Sequence, residues 1–268
     1  MRLTGLVLLA SLTIPGLTAA PAEPVAAEAC GWPRKVERRV LEQATRLMPP
    51  SLQRILRRHE RALRQGAQDE RRRAPAALHA EDVEPGDGPA ERLAASTARI
   101  SALLDGHAPL HQVAWEMGAA SHLVADLSNP FRTVPRDEQA PAFEPRFLDY
   151  VEEQLPDLRI VFTSYEHPLL EQGDVTGFGR LLATASRSYL DDLVGSFRRF
   201  DETGDPSFLD QRSIPFGVAS LSFSRTVTDT ARIWLLAWRQ AHGDITGLPY
   251  PLAGQEDQEG EAGLKGTP

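Results

Sequence analysis

Apolar residues recur every three or four positions over most of this chain, and this spacing restricts the fold more than any other feature. In residues 34–48, for example, Val36, Val40 and Ala44 fall on one helical face. Val, Ile and Thr nowhere alternate for long enough to indicate a sheet. The sequence therefore predicts an all-α fold, a single-domain multi-helix bundle. Comparable patterns occur over residues 51–65, 90–104, 108–127, 145–155, 175–200 and 215–242.

Two internal segments interrupt the helical pattern. Gly66 ends the second periodic stretch, and residues 67–89 are rich in Ala, Pro, Gly and charge, which predicts a long loop. Residues 158–172 are ambiguous, since Ile160, Val161 and Phe162 suit either a strand or the start of another helix.

Both termini differ from the body of the chain. Arg2 precedes an apolar stretch over residues 6–17 that is short for a membrane span, so residues 1–20 are predicted to be a signal peptide. A second small-residue pattern places cleavage as late as residue 29, and Cys30 after it is either a lipid anchor or a lone thiol. We expect an exported protein, periplasmic or extracellular. Residues 253–268 are acidic and polar, which predicts a disordered tail after a domain spanning 30–250.

Charge is distributed unevenly along the chain. Residues 34–73 contain 13 Lys and Arg against 5 Asp and Glu, whereas the whole chain has a net charge of −8. The basic helices would suit an anionic membrane surface or nucleic-acid phosphates. Alternatively, they are solvated faces or pair with the acidic remainder of the chain. Few aromatic residues interleave with the basic ones, which disfavours single-stranded nucleic acid.

One pair of residues suggests chemistry. His122 and Asp126 lie four positions apart in an otherwise apolar helix, so their side chains project from the same face. An imidazole and a carboxylate in this arrangement suit a divalent metal ion. A local hydrogen-bonded pair in the core is the other solution for two polar groups on a buried face. With one Cys in the chain, a zinc site built from cysteines is excluded.

The segment around this pair resembles the central motif of the zinc-dependent phospholipase C family, which shares its fold with single-strand-specific zinc nucleases. That motif is a glycine, a histidine, an aspartate and a proline at four-residue intervals, here Gly118, His122, Asp126 and Pro130. Other similarities follow in order along the chain. They are Gly31-Trp32 near the N-terminus, the turn Gly66-Ala67-Gln68-Asp69, His79 in the next loop, and the long Trp-containing segment 215–242.

The resemblance implies an all-helical domain that holds zinc ions in a cleft and hydrolyses phosphate esters. The ion held wholly by protein side chains would take four ligands, and Asp82 is an alternative to His79 among them. The family's N-terminal amine ligand corresponds to Trp32. The four implied ligands are Asp69, His79, His122 and Asp126.

Ligands to the family's other ions are missing. The histidine expected after the proline falls at Arg132, the one expected in the first helix falls among residues 36–38, and residues 143–152 contain none. We therefore expect one zinc ion. Arg132 would either bind a phosphate oxygen in place of metal charge or neutralise Asp126 and leave the site metal-free.

Three functions are consistent with these observations. The first is an exported zinc-dependent phosphoesterase-like hydrolase, with Asp126 and Arg132 as catalytic residues and a phospholipid or another phosphodiester as substrate. The second is a catalytically degenerate binding or scaffold protein that retains the fold. The third is an unrelated helical protein in which His122 and Asp126 are a satisfied core pair.

Overall fold

The computed structural model describes residues 31–73, 88–133 and 140–252, and within these ranges it contains helices and no strand. The predicted all-α, single-bundle fold is confirmed. Short 3₁₀ turns at Pro130–Arg132, Ala140–Phe143 and Pro206–Phe208 join some of the helices. The α-helices are α1 (Arg34–Arg46), α2 (Pro50–Arg58), α3 (Glu60–Arg73), α4 (Pro89–Asp105), α5 (Leu110–Leu127), α6 (Glu144–Gln154), α7 (Pro168–Glu171), α8 (Val175–Arg187), α9 (Leu190–Thr203) and α10 (Ile214–Gln240).

Local sequence sets many of the helix ends. Pro50 and Pro89 occupy the first turns of α2 and α4, where a missing amide proton removes no intrahelical bond. Asp174 and Ser213 cap α8 and α10, accepting hydrogen bonds from the backbone amides three residues ahead. Gly204 ends α9 in the left-handed conformation that favours glycine.

Helix α10 forms the centre of the bundle, since its 27 residues pack against α1, α4, α5, α6 and α9. Trp234 on this helix is fully buried, and its Nε1 donates to the carbonyl oxygen of Met117 on α5 at 2.8 Å. This bond fixes α5 against the central helix.

Helices α3 and α5 make the closest helix pair. Gly66 lies against the backbone of Trp115, and Gly118 lies against the backbone of Leu63, so that a Cβ at either glycine would overlap a carbonyl oxygen. The sequence predicted that Gly66 ends a helix. In the structure, Gly66 instead lies in the middle of α3 and permits this close approach. Residues 67–73 of the predicted loop are helical, since α3 continues to Arg73.

Other predicted elements also differ from the structure. The helix predicted over 175–200 is divided into α8 and α9, which are separated at Ser188 and Tyr189. Residues 158–167 form neither strand nor helix and lead into the short α7. The hydroxyl of Ser224 on α10 accepts a hydrogen bond from the amide of Val161 and donates one to its carbonyl oxygen. These backbone groups are therefore hydrogen-bonded although the segment belongs to no sheet.

Several predictions fall outside the described residues. The signal peptide at 1–20, His79 and Asp82 in the 67–89 segment, and the acidic tail at 253–268 all lie there and stay predictions. None of the helices in the described ranges is long and apolar enough to cross a membrane.

The basic residues of 34–73 are in part paired within the molecule. Lys35 lies 2.6 Å from Glu152 on α6, and Arg64 lies 2.8 Å from Glu60 one turn earlier. Such exposed pairs contribute little stability.

A buried carboxylic acid on α10 gives the fold a predictable pH dependence. Burial raises the pKa of Asp229 to about 6, although Arg232 binds its carboxylate at 2.8 Å. Between about pH 4 and pH 6 the folded chain therefore holds a proton that the unfolded chain has lost. The free energy of unfolding should fall by up to about 3 kcal/mol as pH rises through this window.

Asp229→Asn removes this titration, so the difference in stability between wild type and variant should change by that amount across the window. Urea unfolding of both proteins from about pH 4 to about pH 7 measures it. If the free energies of unfolding of the wild type and the variant changed with pH in parallel, Asp229 would have an ordinary pKa.

Candidate functional site: a buried ion network

His122 and Asp126 lie side by side on α5, as their spacing predicts. Each is 1% exposed, and His122 Nε2 lies 3.5 Å from Asp126 Oδ2. Helix α5 is buried over most of its length, so both polar groups are inside the bundle rather than on its surface. Groups buried this deeply require charged or hydrogen-bonding partners.

Helix α1 supplies the first partner from outside α5. Glu37 Oε1 lies 2.9 Å from His122 Nδ1. Burial works to lower the pKa of His122, but the carboxylates of Asp126 and Glu37 outweigh burial, and the net direction of the pKa is upward. The two carboxylates therefore stabilise the protonated imidazole relative to a histidine in water.

Helix α3 supplies a guanidinium to the same place. Arg71 Nη2 lies 3.5 Å from Glu37 Oε1 and donates a hydrogen bond to the carbonyl oxygen of Trp32. The Arg71 side chain is 8% exposed. Gly31 has a φ of 107° and lies against the same groups, since a Cβ there would be 2.7 Å from His122 Cε1. Arg71 and His122 thus converge on one small space.

With His122 protonated, these four side chains balance in charge. Glu37 and Asp126 are acidic, Arg71 is cationic, and His122 has a raised pKa. We call this set the buried ion network. The network ties three helices together, because α1 and α3 each contribute one of its residues and α5 contributes two. Removal of Arg71 or Glu37 would disturb this balance of buried charge.

The predicted ligand Asp69 is not brought to His122. Its carboxylate accepts from Trp115 Nε1 at 3.1 Å and from Gln65 Nε2 at 2.7 Å. Trp115 lies two turns before His122 on α5, about 10 Å away along the helix axis. Arg71, two residues after Asp69, is the α3 residue that reaches the pair.

The predicted amine ligand Trp32 lies next to the network but is used differently. Its indole Nε1 donates to the carbonyl oxygen of Ala125 at 3.0 Å, and the ring is fully buried. Its carbonyl oxygen accepts from Arg71, while its backbone nitrogen is part of the peptide bond that follows Gly31. Trp32 thus anchors the N-terminal end of the described chain to α5.

The predicted catalytic residue Arg132 follows α5 in the 3₁₀ turn Pro130–Arg132. Its guanidinium is buried and donates to Glu144 at the start of α6. Asn129 also donates to Glu144, at 3.1 Å, and its own oxygen accepts from the amide of Phe131. This arrangement fixes the turn after α5 against α6.

Among the residues that the structure describes, those around His122 do not by themselves form a zinc site. Across the three described ranges, no group of three or more His, Cys, Asp or Glu side chains is arranged to hold a metal. The two carboxylates contact different nitrogens of the His122 ring, Glu37 at Nδ1 and Asp126 at Nε2, and the α3 group beside them is a guanidinium, which cannot ligate a cation. Zinc sites normally require three or four protein ligands.

Sequence reasoning missed two members of the network, although each left a signal. Glu37 lies on the apolar face of α1 one turn before Val40, where a carboxylate must be paired. Arg71 lies on the buried face of α3, eight residues after Leu63. This second signal was lost because the helix was predicted to end at Gly66.

Comparison with known proteins supports the fold alone. No protein-family model and no curated protein matches the sequence. Among solved structures, the alpha-toxin of Clostridium perfringens from an avian strain matches with a TM-score of 0.56 and 11% identity. The match covers 78% of this chain and 64% of the toxin chain, so this chain spans less than two-thirds of the toxin. The resemblance to the zinc-dependent phospholipase C family is thereby supported as a distant similarity of fold.

Proposed function

We propose that this chain is a metal-free protein with a phospholipase C-like fold that acts by binding rather than by hydrolysis. The observation that carries the proposal is the guanidinium of Arg71, which lies against Glu37 and beside His122. In this account the arginine supplies the positive charge that a divalent cation would otherwise supply to the carboxylates.

Electrostatics supports the proposal. A zinc ion beside His122 would be repelled by Arg71 and would need His122 to lose the proton that Glu37 and Asp126 stabilise. Zinc would therefore compete with Arg71 for Glu37 and with a proton for His122. Because multi-metal phosphoesterases rely on their ions to activate water and to stabilise the leaving group, we expect no comparable hydrolysis here.

A second candidate is the exported one-zinc phosphoesterase predicted from the sequence, acting on a phospholipid or another phosphodiester. The adjacency of His122 and Asp126 favours it. For this candidate, Arg71 would have to leave Glu37, and further ligands would have to come from the 74–87 segment, which contains His79. Asp126 and Arg132 would then be the residues to test for catalysis.

An activity assay separates the two candidates. Purified chain, equilibrated with zinc, is incubated with bis(4-nitrophenyl) phosphate and with phosphatidylcholine. We expect turnover at the level of buffer alone for both substrates, unchanged by His122→Ala. Zinc-dependent hydrolysis that is lost in a folded His122→Ala variant would establish the phosphoesterase instead.

A further inference from the structure

A second site lies at the opposite end of α3 and α5, where we propose that a groove binds a single-chain amphiphile with an anionic head group. The groove consists of two adjoining cavities of about 920 and 730 Å³. Arg58, His59 and His111 line both cavities, so they form one continuous depression. This proposal names a ligand class for the binding function proposed above.

The floor of the groove is apolar. Leu103 and Trp115 line the larger cavity, and Ile55 and Leu110 line the smaller one. Ile55 and Leu103 pack on the hydrophobic core, whereas Leu110 leaves 41% of its surface exposed. An alkyl chain lying along this floor would remove apolar surface of both partners from water, at about 25 cal/mol per Å².

The rim of the groove is cationic. Arg58 and Arg61 are exposed and form no ion pair with any residue of the described ranges. Glu116, the acidic residue on the lining, is already held by Arg99 at 2.8 Å and by Ser96 at 2.7 Å. The lining therefore has an uncompensated positive charge that suits a phosphate or carboxylate head group.

The groove is separate from the buried ion network. His111 precedes His122 by eleven residues on the same helix, which places them about 16 Å apart. Trp115 lies between them and directs its indole nitrogen to Asp69. A ligand in the groove would therefore contact none of the network residues, and occupancy of one site does not depend on the other.

The combination of floor and rim selects one class of ligand. A free anion would leave the apolar floor exposed, and an uncharged chain would leave Arg58 and Arg61 without partners. The volumes of the two cavities, about 920 and 730 Å³, leave room for an alkyl chain together with its head group. A flat bilayer surface would contact the rim without reaching the floor.

Dodecyl phosphate below its micelle concentration is the probe, with binding followed by isothermal titration calorimetry. The wild-type protein should bind one molecule per chain. Arg58→Gln with Arg61→Gln should weaken binding at least about tenfold, since two charge-assisted contacts are lost. Leu110→Glu should weaken binding similarly, by placing a carboxylate on the exposed part of the floor.

The matched control removes two exposed arginines elsewhere, in Arg199→Gln with Arg212→Gln, and should bind as the wild type does. If inorganic phosphate or uncharged dodecyl maltoside bound as tightly as dodecyl phosphate, the proposal would be overturned, because floor and rim would not act together. Binding to phosphatidylglycerol vesicles but not to monomeric probe would also overturn it, in favour of a membrane surface. Zinc content measured on the same samples tests the metal-free proposal independently.

Discussion

Arg71→Met should lower the free energy of unfolding at neutral pH by about 3–5 kcal/mol, the cost typical of removing one partner of a buried ion pair. Arg71 and Glu37 are each less than 10% exposed. Without the guanidinium, buried Glu37 would lose its arginine contact, and the carbonyl oxygen of Trp32 would lose its donor. Urea unfolding followed by circular dichroism gives the difference.

The adjacent residue provides the control. Arg72 is 62% exposed, and its contact with Asp69 is long, at 3.8 Å. Arg72→Met should therefore change stability by no more than a few tenths of a kcal/mol. A double variant, Arg71→Met with Glu37→Gln, should lose less than the sum of its two single changes, because the partners are removed together. Equal effects of Arg71→Met and Arg72→Met would contradict the buried ion network.

Gly66→Ala is expected to destabilise the fold by roughly 3 kcal/mol or more, at the upper end of the cost of overpacking. A Cβ at this position would overlap the carbonyl oxygen of Trp115, which is backbone and cannot rotate away. Helices α3 and α5 would have to separate, and this movement would also shift Arg71 relative to His122. Thermal and urea unfolding measure the loss.

A glycine in another helix is the matched control. Gly195 lies within α9, and a Cβ there would meet no atom within 4 Å. Gly195→Ala should therefore stabilise the protein by about 0.5–1 kcal/mol, because alanine favours the helix without a clash. If Gly66→Ala and Gly195→Ala changed the free energy of unfolding in the same direction, the close approach of α3 and α5 would not be a determinant of the fold.

Much of this architecture could be predicted from the sequence because helical periodicity is a local property. The spacing of His122 and Asp126 indicated that they share a face, and the apolar residues around them indicated that this face is buried. Both inferences depend only on positions within one helix. Gly118 likewise permits a close helix contact, although its partner cannot be known without the second helix.

The partners of the pair could not be obtained in this way. Whether Asp69 or Arg71 faces His122 depends on the rotation of α3 about its axis. Side chains two positions apart on a helix point in directions about 200° apart around that axis. The rotation is set by Gly66 and by the backbone of Trp115, which belong to different helices. A motif with an acidic residue near the right position therefore favoured Asp69, whereas helix packing brings Arg71 to the site.

The zinc content of the purified full-length chain tests the central claim most directly. The protein is equilibrated with excess zinc, passed through a desalting column and analysed by inductively coupled plasma mass spectrometry, with Arg71→Met alongside. We predict far less than one zinc per chain in the wild-type protein. A full equivalent of zinc in the wild type, lost in His122→Ala, would contradict the account and restore the metal-dependent hydrolase.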